Sequence, residues 1–203
     1  SRLAMCLGQK GGFAVYHVAD LKKVSDISEA NPLAKFSEPD AQRDMIFSAD
    51  GKILVTSDRG RIVGFDVDAG RGFFEHRVVS TPLKPRSVKS MAVSNDGTRL
   101  FAAIGPDIVE FSLKTLMEVR RIPDRFAIQL RLSPRGKRLA VARSNYALAV
   151  MNIDGDPEPE LYKLGNMLQG AVNAEMDVAW STDGMYLSGV GHNGLSVWKI
   201  EDE

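Results

Sequence analysis

The sequence predicts an all-β fold, a β-propeller of four-stranded antiparallel blades with four blades near complete and one partial. Three observations predict it. A Ser-x-x-Gly turn recurs four times, a short alternating strand flanks each turn on both sides, and a third strand places one large residue at the same point of every repeat. A unit of about 40 to 45 residues with four short strands is the period of a propeller blade.

The turns are Ser48-Ala49-Asp50-Gly51, Ser94-Asn95-Asp96-Gly97, Ser133-Pro134-Arg135-Gly136 and Ser181-Thr182-Asp183-Gly184, spaced 46, 39 and 48 residues apart. Glycine suits the last position because it takes a positive φ without steric cost, and Asp or Asn before it bonds the turn's own backbone. The strands before the turns are Met45 to Phe47, Met91 to Val93, Leu130 to Leu132 and Val178 to Trp180. Those after them are Ile53 to Val55, Leu100 to Ala102, Leu139 to Val141 and Tyr186 to Ser188. Each pair is a hairpin.

Third strands follow at Ile62 to Val67, Ile108 to Leu113, Leu148 to Ile153 and Leu195 to Ile200, with Phe65, Phe111, Met151 and Trp198 as the recurring large residue. Weaker fourth strands are expected at Phe73 to Val79, Met117 to Ile122 and Glu160 to Leu164. One period upstream, Leu3 to Leu7 and Phe13 to Val18 read as a second and a third strand around the turn Gly8 to Gly12. The blade units then run approximately 1–40, 41–85, 86–124, 125–172 and 173–203. This phase starts inside one blade and stops at the third strand of another, so the expectation is a portion of a six- or seven-bladed ring, with an intact five-bladed ring as the alternative.

In the stretch Gly194 to Ile200, Trp198-Lys199 stand where WD repeats often carry Trp-Asp, and most of the chain resembles a divergent WD-repeat propeller. The Gly-His that opens many WD repeats is absent from the segments before the first strands, and Trp occupies one of the four equivalent third-strand positions. The resemblance implies a non-catalytic scaffold that presents loop surfaces to a protein partner. The stretch Leu116 to Ile153 looks like a late blade of the propeller exchange factors for Sar-type small GTPases. That second resemblance implies a small-GTPase partner at the cytoplasmic face of the endoplasmic reticulum. The exchange-active loop of that family lies in N-terminal blades with no counterpart here, so it assigns no residue.

Composition narrows the function classes. With 44% hydrophobic and 26% charged residues the 203-residue chain is of ordinary globular composition. Lys plus Arg equals Asp plus Glu at 26 each, so no global field recruits nucleic acid or an anionic membrane. No apolar run approaches the roughly 20 residues that span a bilayer. Cys6 is the single cysteine, so the chain has no internal disulfide to form, and an intracellular, cytoplasmic location is expected.

The densest local feature is basic. Arg120, Arg121, Arg125, Arg131, Arg135, Lys137, Arg138 and Arg143 fall within 24 residues in which Asp124 is the one acid. Arg offers bidentate bonds to carboxylate or phosphate, so the cluster is a candidate anionic-partner surface; the plain alternative is a solvated rim balanced by neighbouring acids. Its members are expected to split between the two rims, Arg135, Lys137 and Arg138 at the hairpin turn and Arg120, Arg121 and Arg125 where the chain crosses to the next blade.

Propeller loops that lead into the first strands, or join second to third strands, converge on one rim. By that geometry Arg43, Arg86, Arg125 and Glu175, with Asp58, Arg59, Asp107, Asn145, Tyr146, His192 and Asn193, are the rim candidates. Arg120, Arg121, Arg125, Arg59, Tyr146 and His192 are the partner-binding set, because Arg and Tyr are enriched in binding hot spots.

No cofactor or metal is expected. Asp154, Asp156 and Glu158 are spaced like calcium ligands, but Gly165 stands where an EF-hand needs its bidentate Glu, and Pro157 and Pro159 make the stretch a stiff connector. His17, His76 and His192 lack metal-ligand spacing, Gly8 to Gly12 lacks the Gly-Lys-Ser/Thr of a phosphate loop, and no serine sits in a nucleophile elbow. A propeller hydrolase or lactonase would need acidic or His ligands around the axis, where Asp44, Lys89, Ala127 and Met176 are the residues that lead into the first strands.

Overall fold

The computed structural model describes residues 2–6, 13–20, 22–27, 44–58, 61–78, 88–145, 147–155, 159–163, 177–191 and 194–200. Among them are eighteen strands in five antiparallel sheets, and no helix. The first sheet holds β1 (Arg2–Cys6), β2 (Phe13–His17) and β3 (Lys23–Ile27). The second holds β4 (Met45–Phe47), β5 (Ile53–Asp58), β6 (Arg61–Asp66) and β7 (Arg71–Arg77). The third holds β8 (Val88–Val93), β9 (Arg99–Ile104), β10 (Asp107–Ser112) and β11 (Met117–Pro123). The fourth holds β12 (Ala127–Leu132), β13 (Arg138–Arg143), β14 (Ala147–Asn152) and β15 (Pro159–Lys163). The fifth holds β16 (Asp177–Trp180), β17 (Tyr186–Gly191) and β18 (Gly194–Lys199). Within every sheet the strands pair in chain order, so each sheet is a meander.

The four Ser-x-x-Gly turns close as the sequence predicts. Gly51, Gly97, Gly136 and Gly184 have φ of 71°, 69°, 76° and 71°, and each donates its N–H to the carbonyl of the turn serine. In the second sheet the Ser48 hydroxyl accepts the Ile53 N–H at 3.0 Å and donates to Asp50 at 2.6 Å. Ser94 with Asp96 and Ser181 with Asp183 repeat the pattern. At Ser133 the carboxylate is missing, and Arg135 in its place donates to the Asp183 carbonyl of the next turn at 3.0 Å.

Strand β3 has no counterpart in the sequence reading. Its residues, Lys-Val-Ser-Asp-Ile, carry little hydrophobic signal, and its pairing with β2 supplies the fourth-strand position of the first sheet. Outer strands of three sheets share a further feature, a β-bulge opposite Val15/Tyr16, Gly64/Phe65 and Glu110/Phe111. A bulge adds one unpaired residue and re-aims its neighbours. At Gly64 a Cβ would lie 3.1 Å from Phe73 Cζ, so glycine makes room for the bulged aromatic.

The sheets stack face to face in chain order. Val15 meets Leu54, Val63 and Phe65, joining the first sheet to the second. Val55, Ile62 and Phe74 meet Leu100, Val109 and Phe111, joining the second to the third. Phe101, Ala103 and Ile108 meet Leu130, Leu139 and Met151 beyond that. Ala140, Ala142, Leu148 and Val150 then meet Val178, Leu187 and Ile200 of the fifth. Middle sheets are thus covered on both faces. This is why β9 reads Leu-Phe-Ala-Ala-Ile without alternation, each of those residues 3% exposed or less. A fully buried Phe or Leu side chain contributes about 2 kcal/mol.

First strands of successive sheets lie side by side: β4 with β8, β8 with β12, and β12 with β16. Polar staples join them. Asp44 Oδ2 accepts the Met91 N–H at 2.8 Å, Ser90 Oγ accepts the Leu130 N–H at 3.2 Å, and Trp180 Nε1 donates to the Arg131 carbonyl at 3.0 Å. Asp44 and Ser90 occupy the same position, four residues before their turn serines. Gln129 is next in that series, and its Oε1 is buried without a hydrogen-bond partner because the Val178 N–H it would meet is taken by Asp177 Oδ1 at 2.7 Å.

Candidate functional site

Antiparallel meanders give the stack two ends. At one lie the Ser-x-x-Gly turns and the connections from third to fourth strands; at the other, second strands pass to third strands and each sheet crosses to the next. Turns at the first end touch in sequence, Asn95 Nδ2 donating to the Pro134 carbonyl and Arg135 to Asp183.

The basic cluster does not form one surface. Arg120 lies in β11 opposite Glu110, and its Nε donates to Glu110 Oε2 at 2.7 Å. Its two Nη atoms reach the carbonyls of Gly155 at 2.8 Å and Ile153 at 2.5 Å in the fourth sheet. Arg99 converges on the same place, with Nε on Glu110 Oε1, Nη1 on Asp154 and Nη2 on the Ile153 carbonyl. Glu110 is 4% exposed and bridges the two guanidiniums, one carboxylate oxygen to each. Burial opposes the charge on Arg99, and its bonds to Glu110 and Asp154 outweigh that and raise its pKa. Arg120 therefore joins the third sheet to the fourth.

Arg121 turns to the opposite face. It grips Glu118 with two bonds of 2.7 Å, reaches Asp107 at 3.5 Å, and has its pKa raised chiefly by the Glu118 bond. Glu118 is held below the usual carboxylate range by the same contact. Beside them His76 of β7 sits 4.6 Å from the Phe111 ring, its pKa lowered by burial. Strand alternation sends Arg120 and Arg121 to opposite sides, and the bulge after Glu110 puts Glu118 on the Arg121 side and leaves Val119 exposed.

Arg125 stands apart from both, at the crossing from β11 to β12. The loop is built by Asp124, whose Oδ1 accepts the Phe126 N–H at 3.2 Å, whose Oδ2 accepts Arg143 Nε at 2.8 Å, and whose own N–H goes to the Pro106 carbonyl. The Asp124 and Arg143 side chains are 3% and 14% exposed. The Ser144 N–H closes the corner by donating to the Phe126 carbonyl at 2.8 Å. On this fixed corner the exposed guanidinium of Arg125 lies 4.6 Å from the centroid of the Phe126 ring. A cation over an aromatic face is held in place while its N–H edges remain available to an acceptor.

Among the other candidates, Asp107 and Asn145 flank the same end, and Asp44 serves as the staple to β8. Arg59, Tyr146 and His192, with Arg43, Arg86, Glu175, Met176 and Asn193, lie outside the described residues. In sequence Arg59, Tyr146 and His192 each fall between a second and a third strand, as Pro106 does in the third sheet. The sequence reading missed Glu110, and its signal was available: a lone acid in Ile-Val-Glu-Phe, where the equivalent positions hold Gly64, Val150 and Val197. It also missed the Asp124–Arg143 pair, which spans the crossing and has no sequence spacing of its own.

Among the described residues no three His, Cys, Asp or Glu side chains gather into a metal-binding group, and no helix is long and apolar enough to cross a membrane. Against models of known families and against curated protein sequences, the chain matches none.

Proposed function

We propose that this chain is a β-propeller-type binding scaffold, non-catalytic, which recognises an acidic segment of a protein partner through the end where sheets cross to one another. Serial face-to-face stacking of four-stranded meanders with adjacent first strands supports the propeller reading. The observation that carries the binding reading is Arg125, an exposed guanidinium over the Phe126 ring, on a corner held by the bond from partly buried Arg143 to buried Asp124. A pre-ordered Arg loses less side-chain entropy on binding a carboxylate, and Arg is a frequent hot-spot residue. Arg59, Tyr146 and His192, which lie outside the described residues, remain sequence candidates for the same end.

The test is affinity capture with the wild-type chain, Arg125→Glu, and Lys137→Glu at the opposite end. A partner retained by wild type and Lys137→Glu and lost by Arg125→Glu supports the proposal. Equal retention by all three overturns the assignment of this surface.

A further inference from the structure

Strand β11 is the outer edge of the third sheet, and among the described residues it pairs with β10 alone. Its apolar side chains stand in solvent. Met117 is 67% exposed and Val119 57%, and Leu116 before them is exposed at a φ of 61°. The same places in the second sheet, matched through the strand pairings, hold Arg71, the half-buried Phe73 and Gly70, the last at a φ of 62°. Phe73 tucks over Gly64, whereas the place of Gly64 in the third sheet is filled by Glu110 with its two arginines, so the bulged Val119 has no seat on its own sheet. Leucine in the left-handed region is strained, and such strain gathers where a surface is used. Edge strands are usually guarded by free charge. On β11 the charges are already engaged: Arg120 turns inward to Glu110 and the fourth sheet, and Glu118 and Arg121 hold each other.

The backbone determines what can pair there. The Leu113 N–H goes to the Thr98 carbonyl, and the Leu116 and Asp124 N–H groups go to the Ser112 and Pro106 carbonyls. By the alternation of an antiparallel ladder, Val109 and Phe111 turn their backbone groups to β9, and Ile108 and Glu110 turn theirs to β11. Arg121 and Glu118, opposite Val109 and Phe111, therefore point their N–H and C=O groups away from the sheet. The bulge at Val119 sets these two residues three apart, where a regular strand presents outward groups at every second residue. A second β11 running antiparallel has the same spacing.

We infer that β11 is a self-association edge, through which two copies of this chain pair antiparallel about a two-fold axis with Glu118 of one opposite Arg121 of the other. Directly opposed side chains share a face, and Glu118 and Arg121 both lie on the face toward the second sheet, so the charges alternate in sign around the axis. The same register sets Met117 against Ile122 and Leu116 against Pro123 of the second copy, and brings the two Val119 side chains beside each other at the axis. The patch is thus self-complementary, as a two-fold interface requires. Strand β7 has the same bulge and no such match, since its outward pair is Gly72 and Glu75. Pairing at one edge buries less than a standard interface, so the dimer is weak and concentration-dependent.

Sedimentation velocity over a concentration series tests this with the wild-type chain, Glu118→Arg and Arg121→Glu. The wild type should form dimers, and each variant, which sets like charges opposite each other, should associate about tenfold more weakly or not at all. An equimolar mixture of the two variants should dimerise again, because each then meets the opposite charge. A wild type that is monomeric throughout overturns the proposal, as does association that survives both reversals or that the mixture fails to restore. A second measurement leaves the charges in place. Val119→Cys in a Cys6→Ser background sets two thiols across the axis on Cα atoms about 6 Å apart, within disulfide reach. In air it should form a covalent dimer about tenfold faster than Val197→Cys, a site of similar exposure on the fifth sheet. Equal rates place the contact elsewhere and overturn the proposal.

Discussion

Arg99 meets Glu110 Nε to Oε1 at 2.7 Å, across adjacent strands of one sheet, on a carboxylate 4% exposed. Glu110 also holds Arg120, and both arginines go on to the Ile153 carbonyl of the next sheet. Removing the carboxylate leaves two guanidiniums facing each other in a partly dry place. Glu110→Ala should cost about 3 kcal/mol, the low end for breaking a buried pair because Arg99 and Arg120 are a quarter exposed. Asp154→Ala should cost under about 1 kcal/mol, since Asp154 is 65% exposed. Urea unfolding of both variants checks the contrast; comparable losses would show that Glu110 is not the centre of the network.

At the turns, Asp96 is held below the ordinary carboxylate value by the Ser94 hydroxyl first, then by the Thr98 N–H and hydroxyl. Asp50 and Asp183 are lowered in the same way, led by Ser48 and Ser181. A depressed folded pKa contributes stability that is present above the unfolded value near 3.8 and is lost as pH falls through the folded value. Stability of the wild type should therefore drop below about pH 4. Asp96→Ala should be less stable at pH 6 and lose less on further acidification, as followed by circular dichroism.

Gly97 has a φ of 69°, and a Cβ there would meet Ser48 Cβ at 3.6 Å, an ordinary contact. Space is available, so the cost of a side chain is set by the backbone. Gly97→Ala should lose about 1 kcal/mol, and Gly97→Asn less, because Asn tolerates the left-handed region. Chemical denaturation midpoints should rank Gly, Asn, Ala in falling order; an Ala variant equal to wild type would remove the conformational argument.

The sheets were legible because their signal is local. Ser48, Ser94, Ser133 and Ser181 each bring a turn, a glycine and two strands within about a dozen residues, and the pairing follows chain order. Strand β3 was not, because Lys23 to Ile27 owes its conformation to pairing with β2 more than to its own propensity. Arg120, Arg121 and Arg125 are close in sequence, and their composition was plain. What they face was not, since one bulged residue, Val119, decides which sheet Arg120 meets, Glu110 reaches Arg120 across a strand pairing, and Arg143 reaches Asp124, the residue before Arg125, only through tertiary packing.

His76 gives the interface between the second and third sheets a pH dependence. Its ring lies 4.6 Å from Phe111, and Glu118 and Arg121 of β11 are the charges that face it. Burial lowers its pKa, Glu118 works against that shift, and Arg121 adds to it. The unfolded chain then binds a proton at a pH where the folded chain does not, so stability rises with pH across that window. The contribution is complete above the ordinary histidine value near 6.5 and is lost as pH falls from there through the lowered folded value. Urea midpoints measured at pH 7.5 and 5.5 should fall for the wild type on acidification. His76→Gln keeps a polar group of similar size and cannot take up the proton, so its midpoint should fall by less over the same range. An equal fall in both proteins would place the titration elsewhere.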